Sequence, residues 1–329
     1  MKRREFITLL GGAAAIWPLA VRAQQPAVPV VEFLNPGTPE VSARSTAAFR
    51  KGLNENGYVE GQNVTVNYHW LDGKYDRLPI LLADLVRKPV AVIATPGFQT
   101  AALAAKAATS TNPIVFGVAE DPVQLGLVAS LARPSGNATG INSFVQEVGA
   151  KRLRLLHELV PKAIRVAVLV NPANASAAAA TLRDVKEAVS IIGMQIQMIL
   201  NASTTREIDA AFATLAKERP DALFVGPDGF FTSRIVQFAT LAASHMIPAT
   251  YSNRDYVAAG GLMSYGTDQA EMFRQVGIYT GRVLKGEKPA DMPVLQSTKF
   301  EFVINLQTAR TLGIDIPLHL QQIADEIIE

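Results

Sequence analysis

One plan of alternating strands and helices is written twice along this chain, and that repetition constrains the fold more than any other feature. Val30-Val31-Glu32-Phe33-Leu34 is a short apolar run that stops at Asn35-Pro36-Gly37, and the run over 166–170 stops the same way at Asn171-Pro172. The run over 91–94 stops at Thr95-Pro96-Gly97, and that over 222–225 stops at Gly226-Pro227-Asp228-Gly229. Short apolar runs bounded by Pro and Gly read as buried strands. Helical periodicity fills the intervals, over 41–56, 77–87 and 98–109 in the first half and 175–192, 205–218 and 231–244 in the second. Asn35 and Asn171 stand 136 positions apart, Pro96 and Pro227 131, and Pro113 and Pro248 135. Strands alternating with helices imply parallel sheets covered on both faces with right-handed crossovers. The expected fold class is therefore α/β, with two doubly wound Rossmann-like lobes.

Length agrees, because 329 residues exceed the roughly 250–300 at which a single core stops growing. The tail is less regular: Gly260-Gly261 breaks the chain, 262–265 reads as a strand, 269–284 as an amphipathic helix and 300–305 as a further strand. It is read as returning to the first lobe and leaving it again, after a first crossing near Ile141-Asn142-Ser143. The expected division is a first lobe over 28–142 plus about 265–295, and a second over 145–262 plus about 298–329. Three crossings make a hinge.

Residues 1–23 read as an address. Lys2, Arg3 and Arg4 precede an apolar run from Ile7 to Val21, and Val21-Arg22-Ala23 forms an A-x-A-like site. That is the anatomy of an export signal cleaved after Ala23, and the paired arginines ahead of Phe6 resemble the twin-arginine type. The expected location is the periplasm. The four basic residues and Glu5 give these 23 residues a formal +3, so the chain's +2 leaves the body at −1. A nearly neutral body offers no electrostatic case for nucleic acid. With no cysteine there is no disulfide, no thiolate metal site and no lipobox for lipid attachment.

Chemistry motifs are missing as well. No G-x-S-x-G, H-E-x-x-H or Walker A sequence occurs, and no G-x-G-x-x-G stands in the body, so no cofactor and no enzymatic activity are expected. In doubly wound sheets ligands sit beyond the carboxyl ends of the strands, which makes the stops the candidate site. Asn35 and Asn171 open the first stop of each lobe, and Asn142 lies at the first crossing. Thr95, Gly97 and Gln99 open a helix whose N–H groups could hold a carboxylate. Asp121 and Asp228 follow strand ends and could meet an ammonium group. N-capping is the alternative for Asp121. Phe98, Phe230, Tyr251 and Tyr265 also follow strand ends, either at a cleft rim or closing the core of their own lobe.

Several phrases carry a family resemblance. Ile93-Ala94-Thr95-Pro96, Val118-Ala119-Glu120-Asp121-Pro122-Val123 and Leu131-Ala132-Arg133-Pro134-Ser135-Gly136-Asn137-Ala138-Thr139-Gly140 are similar to those of the ABC transporter substrate-binding family that includes tryptophan/tyrosine-type uptake receptors. So are Leu284-Lys285-Gly286-Glu287-Lys288-Pro289 and Ile304-Asn305-Leu306-Gln307-Thr308-Ala309. The resemblance implies a type I periplasmic-binding-protein fold, a small ligand such as an amino acid or an aromatic or apolar carboxylate between the lobes, and delivery to an ABC permease and ATPase in the inner membrane. A monomer is expected. The alternatives are a ligand sensor docking on a membrane receptor and a two-lobed, glycosyl-transferase-like enzyme. The enzyme reading lacks the glycine loop that a nucleotide-sugar donor needs.

Overall fold

The computed structural model describes residues 28–143, 148–297 and 299–329; the export signal expected over 1–23 lies outside them. Strands β1 (Val30–Asn35), β2 (Thr65–Trp70), β3 (Val92–Thr95), β4 (Ile114–Val118) and β5 (Ala138–Asn142) come first. They are followed by β6 (Arg165–Val170), β7 (Gln195–Asn201), β8 (Ala222–Val225), β9 (Ala249–Tyr251) and β10 (Met263–Thr267). The last three are β11 (Leu295–Gln296), β12 (Phe300–Asn305) and β13 (Glu326–Ile328). One sheet has the order β11-β5-β4-β3-β1-β2 and the other β13-β12-β10-β9-β8-β6-β7. Every pairing is parallel except β10 with β12.

β3, β4, β5 and β8 are buried along their whole length, as strands covered by helices on both faces must be. Each sheet therefore separates two apolar clusters. Phe116 lies with Leu78 and Phe98 on one side of the first sheet, and Phe33 with Phe49 and Phe273 on the other. In the second lobe Phe224 and Ile304 lie on one side, and Phe212, Phe231 and Tyr251 on the other.

The chain passes between the lobes three times. β5 ends at Asn142 and helix Val148–Leu159 packs in the second lobe. Helix Gln269–Leu284 returns to lie on Ala43–Glu55 in the first lobe, and β12 follows β11 back into the second sheet. The second passage falls at Thr267–Asp268, later than expected from sequence. Residues 265–267 pair with β12, Tyr265 opposite Phe302, and so remain in the second sheet. Hydrogen bonds tie the passages together. Thr267 donates to the Ser143 carbonyl at 3.4 Å, the Ser297 N–H to the Asn142 carbonyl at 2.8 Å, and Lys299 meets Asp268 at 2.7 Å.

The returning helix approaches Ala43–Glu55 backbone to backbone. A Cβ at Gly277 would stand 2.2 Å from the Phe49 carbonyl oxygen, and one at Gly52 would stand 2.0 Å from that of Arg274. Only glycine permits that contact, which seats the discontinuous segment in the first lobe. No helix among the described residues is long and apolar enough to cross a membrane.

Candidate functional site: the cleft between the lobes

The carboxyl ends of the two sheets face one another. A chamber of about 180 Å³ lies between the turns after β1 and β3 on one side and the turn after β8 on the other. A second chamber of about 360 Å³ lies between the 119–124 segment and the helices Val148–Leu159 and Ala175–Ile192. Ala119, Glu120, Ala177, Pro227 and Ser252 line both, so the two form one continuous cleft. This is the position expected of a ligand site in doubly wound sheets.

Asn35, Gly97, Phe98, Gln99 and Asp228 all line the first chamber. The Asn35 side-chain Oδ1 accepts from the Gly37 N–H at 2.8 Å and from the Ser42 hydroxyl at 3.0 Å, which fixes the turn after β1. The Gly97 N–H is already donated to the Gly117 carbonyl at 3.0 Å. The free donors lie one step later. Helix Gln99–Ala108 has no side-chain cap, and the Gln99 and Thr100 N–H groups have no acceptor among the described residues. Phe98 packs on the Tyr75 ring with centroids 5.3 Å apart.

Across the chamber, Asp228 is 8% exposed. Its Oδ1 accepts from Asn171 at 2.8 Å and from the Phe230 and Phe231 N–H groups at 2.9 and 3.2 Å. Among the described residues its Oδ2 accepts only from Asn174, at 3.2 Å. Asp228 thus caps the short helix Gly229–Thr232 and keeps one oxygen largely uncommitted. Burial raises its pKa, and the hydrogen bonds oppose that rise in part. Asp255, which also lines the chamber, is raised by burial against the pull of Arg44 and Arg254. Glu120 reaches across the cleft to accept from the Ser176 hydroxyl, and its Oε1 has no partner among the described residues. The charged residues lining this chamber are all acidic: Glu120, Asp228 and Asp255.

Other expected site residues stand elsewhere. Thr95 is fully buried behind its turn. Asn142 donates to the Glu120 carbonyl at 2.7 Å and belongs to the hinge. Asn171 acts on the cleft through Asp228. Asp121 lines the second chamber, but its Oδ1 accepts from the Val123 and Gln124 N–H groups at 2.8 and 3.4 Å and fixes a turn, with no helix there to cap. Phe230 follows β8, whereas Tyr251 ends β9 and Tyr265 lies inside β10, and both tyrosines turn into their own lobe. Phe230 packs on Phe231, Tyr251 stacks on Tyr256 at 4.6 Å, and Tyr265 stacks on Phe300 at 6.0 Å. The two tyrosines close cores and do not rim the cleft, whereas the Phe230 ring also faces Gly73 of the other lobe.

Sequence reasoning missed Tyr75, Ser252, Asn253, Met272 and Phe273, which line the first chamber. Ser252-Asn253 follows β9 and obeys the same stop rule as Asn35, so that signal was available. Tyr75, Met272 and Phe273 arrive from helical segments with no local punctuation. Burial first, and then Asp228, push the Tyr75 phenol far up, so it stands in the cleft as a neutral hydroxyl.

The lobes are shut. Arg234 meets Asp72 across the cleft at 2.9 Å, and Arg44 meets Glu301 at 3.6 Å. Comparison with known proteins gives this geometry a family. The model of the family described as ABC transporter substrate binding protein matches residues 40–328. The chain belongs to that family. As a substrate-binding protein it is a receptor and not an enzyme, with the two-lobed fold of its structural neighbours. It is 27% identical over 276 residues to a tyrosine-binding protein of Clostridioides difficile (strain R20291), covering 82% of this chain and 76% of that one. A conserved domain protein from Vibrio cholerae, 25% identical, superposes on this substrate-binding protein with a TM-score of 0.81 over 91% of this chain and 99% of its own. An ABC domain from Streptococcus pneumoniae in complex with L-Trp, 24% identical, gives 0.80 over the same shares. A ligand-free, open substrate binding protein from Clostridium difficile, 22% identical, gives 0.63 over 92% and 99%.

Proposed function

We propose that this substrate-binding protein is a periplasmic receptor that closes its lobes on an amino acid with an aromatic or bulky apolar side chain and delivers it to an ABC permease and ATPase for uptake. One observation carries the reading: an acidic wall faces an uncapped helix start across a single small chamber. The Asp228 Oδ2, which among the described residues accepts only from Asn174, is the acceptor for an ammonium group. The Gln99 and Thr100 N–H groups are the donors for the carboxylate. Opposed charges a few ångströms apart suit a zwitterion, and lobe closure strengthens both contacts by excluding water. The tyrosine-binding relative and the L-Trp complex support an aromatic amino acid. The basic, apolar segment over 1–23 supports export.

The test is a thermal-shift screen of the protein lacking residues 1–23 against amino acids and aromatic acids, since a ligand that binds only the folded state raises apparent stability by mass action. An aromatic amino acid should give the largest shift, and a screen in which no amino acid or aromatic acid gives one sinks the reading. Asp228→Asn keeps a cap for Gly229–Thr232 and should still weaken binding by at least about tenfold, because one partner of a desolvated charge pair has been removed. Binding should also weaken as pH falls through the raised Asp228 pKa, since only the carboxylate pairs with ammonium.

A further inference from the structure

The second chamber holds a buried cation that makes no ion pair among the described residues. Four charged side chains are buried among the described residues: Glu32, Arg152, Asp228 and Asp268. Glu32 meets His69 at 2.6 Å, Asp268 meets Lys299 at 2.7 Å, and Asp228 is held by two side-chain amides and two backbone N–H groups. Arg152, only 3% exposed, makes no ion pair among the described residues. Its Nη2 donates to the Val225 carbonyl at 2.9 Å, its guanidinium carbon lies 4.0 Å from the centre of the Phe224 ring, and its Nε has no acceptor. Burial pulls its pKa down to about 9.

Arg152 lines the chamber with three carboxylates, none of which forms an ion pair with it. Glu120 is engaged through one oxygen by Ser176, Asp121 fixes its own turn, and Asp184, 3.8 Å from Arg183, acts on Arg152 only at longer range. A buried guanidinium without an ion-pair partner is costly unless an anion arrives. The walls beside it are Phe224, Pro227, Ala177 and Ala180, which suit a flat apolar body. The volume of about 360 Å³ lies within the roughly 300–1,000 Å³ of ordinary ligand pockets.

We infer that the second chamber is an anion subsite, in which the Arg152 guanidinium, seated on Phe224, receives a carboxylate at the far end of the ligand's side chain. The inference rests on the amino-acid reading above, which places the head group in the first chamber. It narrows the ligand class to amino acids whose side chain is apolar or aromatic along its length and acidic at its tip.

The probes are 4-carboxy-L-phenylalanine and its neutral isostere 4-carbamoyl-L-phenylalanine, titrated calorimetrically into the parent, Arg152→Gln and Arg152→Lys. The parent should prefer the acid by at least about tenfold, as a charge-assisted contact in a desolvated pocket requires. Arg152→Gln should bind both probes alike, and Arg152→Lys should keep part of the preference. Equal affinities in the parent, or a preference that survives in Arg152→Gln, would overturn the subsite. If Arg152→Gln does not fold, the parent and Arg152→Lys decide on the same criterion. If neither amino acid binds the parent, benzoate and benzamide replace them in a thermal-shift assay. Stabilisation by benzoate that is absent in the Arg152 variants then keeps the subsite while the amino-acid reading falls. Stabilisation that is absent, or equal for benzoate and benzamide, overturns the subsite as well.

Discussion

A methyl group at position 229 has nowhere to go while the lobes are shut. A Cβ there would stand 2.7 Å from the Pro36 Cβ and 2.7 Å from the Tyr75 hydroxyl oxygen, both in the opposite lobe. The backbone at Gly229 is not left-handed, so alanine costs nothing in the open form. Gly229→Ala should therefore lower ligand affinity by about tenfold or more, by taxing the population of the closed form, and leave the ligand-free melting temperature within about 2 °C of the parent. Unchanged affinity would show that closure does not bring these residues together. The same scale shows where the sequence misleads. Asn35, Gln99 and Asp228 are legible because polar residues at strand ends can turn to the cleft without disturbing a core. Tyr251 and Tyr265 fall at the end of β9 and inside β10, where apolar burial is available within their own lobe and determines their direction. Arg152 gives no local signal at all; it sits in a helical stretch like any surface arginine until the sheet covers it.

At the scale of elements, the starts of β6 and β8 are clipped together by one carboxylate. Asp221 accepts from the Ile164 and Arg165 N–H groups at 3.0 and 2.8 Å and from the Arg165 guanidinium at 2.8 Å, and these bonds hold its pKa down to about 2. A depressed carboxylate pKa contributes stability that is full above the unfolded value of roughly 3.9 and lost as pH falls toward the folded one. Asp221→Asn should cost about 1 kcal/mol at pH 7, the clip being partly exposed and screened by solvent. The gap between variant and parent in chemical denaturation should close between about pH 4 and pH 2. A gap that is constant across that range would assign the effect to packing. Helices were readable where periodicity is long and a boundary residue is present. Ala175–Ile192 ends at the left-handed Gly193, and Thr205–Glu218 begins with the Thr204–Glu207 capping box. β5 was not, because Ala138-Thr139-Gly140-Ile141-Asn142 has turn composition. The strand is held by β4 on one side and β11 on the other, from some 150 residues downstream.

For the whole molecule the relevant equilibrium is open against closed. Ion pairs cross the cleft at Arg234–Asp72 and Arg44–Glu301. Pairs of this exposure contribute about 0–1 kcal/mol each, enough together to bias two states that lie close in energy. The double variant Arg44→Ala, Arg234→Ala should show a larger radius of gyration than the parent in small-angle scattering without ligand, and the same radius at saturation. Equal radii without ligand would remove the pairs from the closure equilibrium. Three chain passages joined by hydrogen bonds also restrict how the two bodies can move. One tether would permit swivelling about any axis; three abreast leave a single soft rotation. Occupancy is then written into one distance. Because the chain has no cysteine, thiols introduced at Ile80 and Val236, 80% and 67% exposed on opposite lobes, would be the only sites for dye labelling. A fluorophore pair there would convert ligand binding into an optical signal with one variable to calibrate.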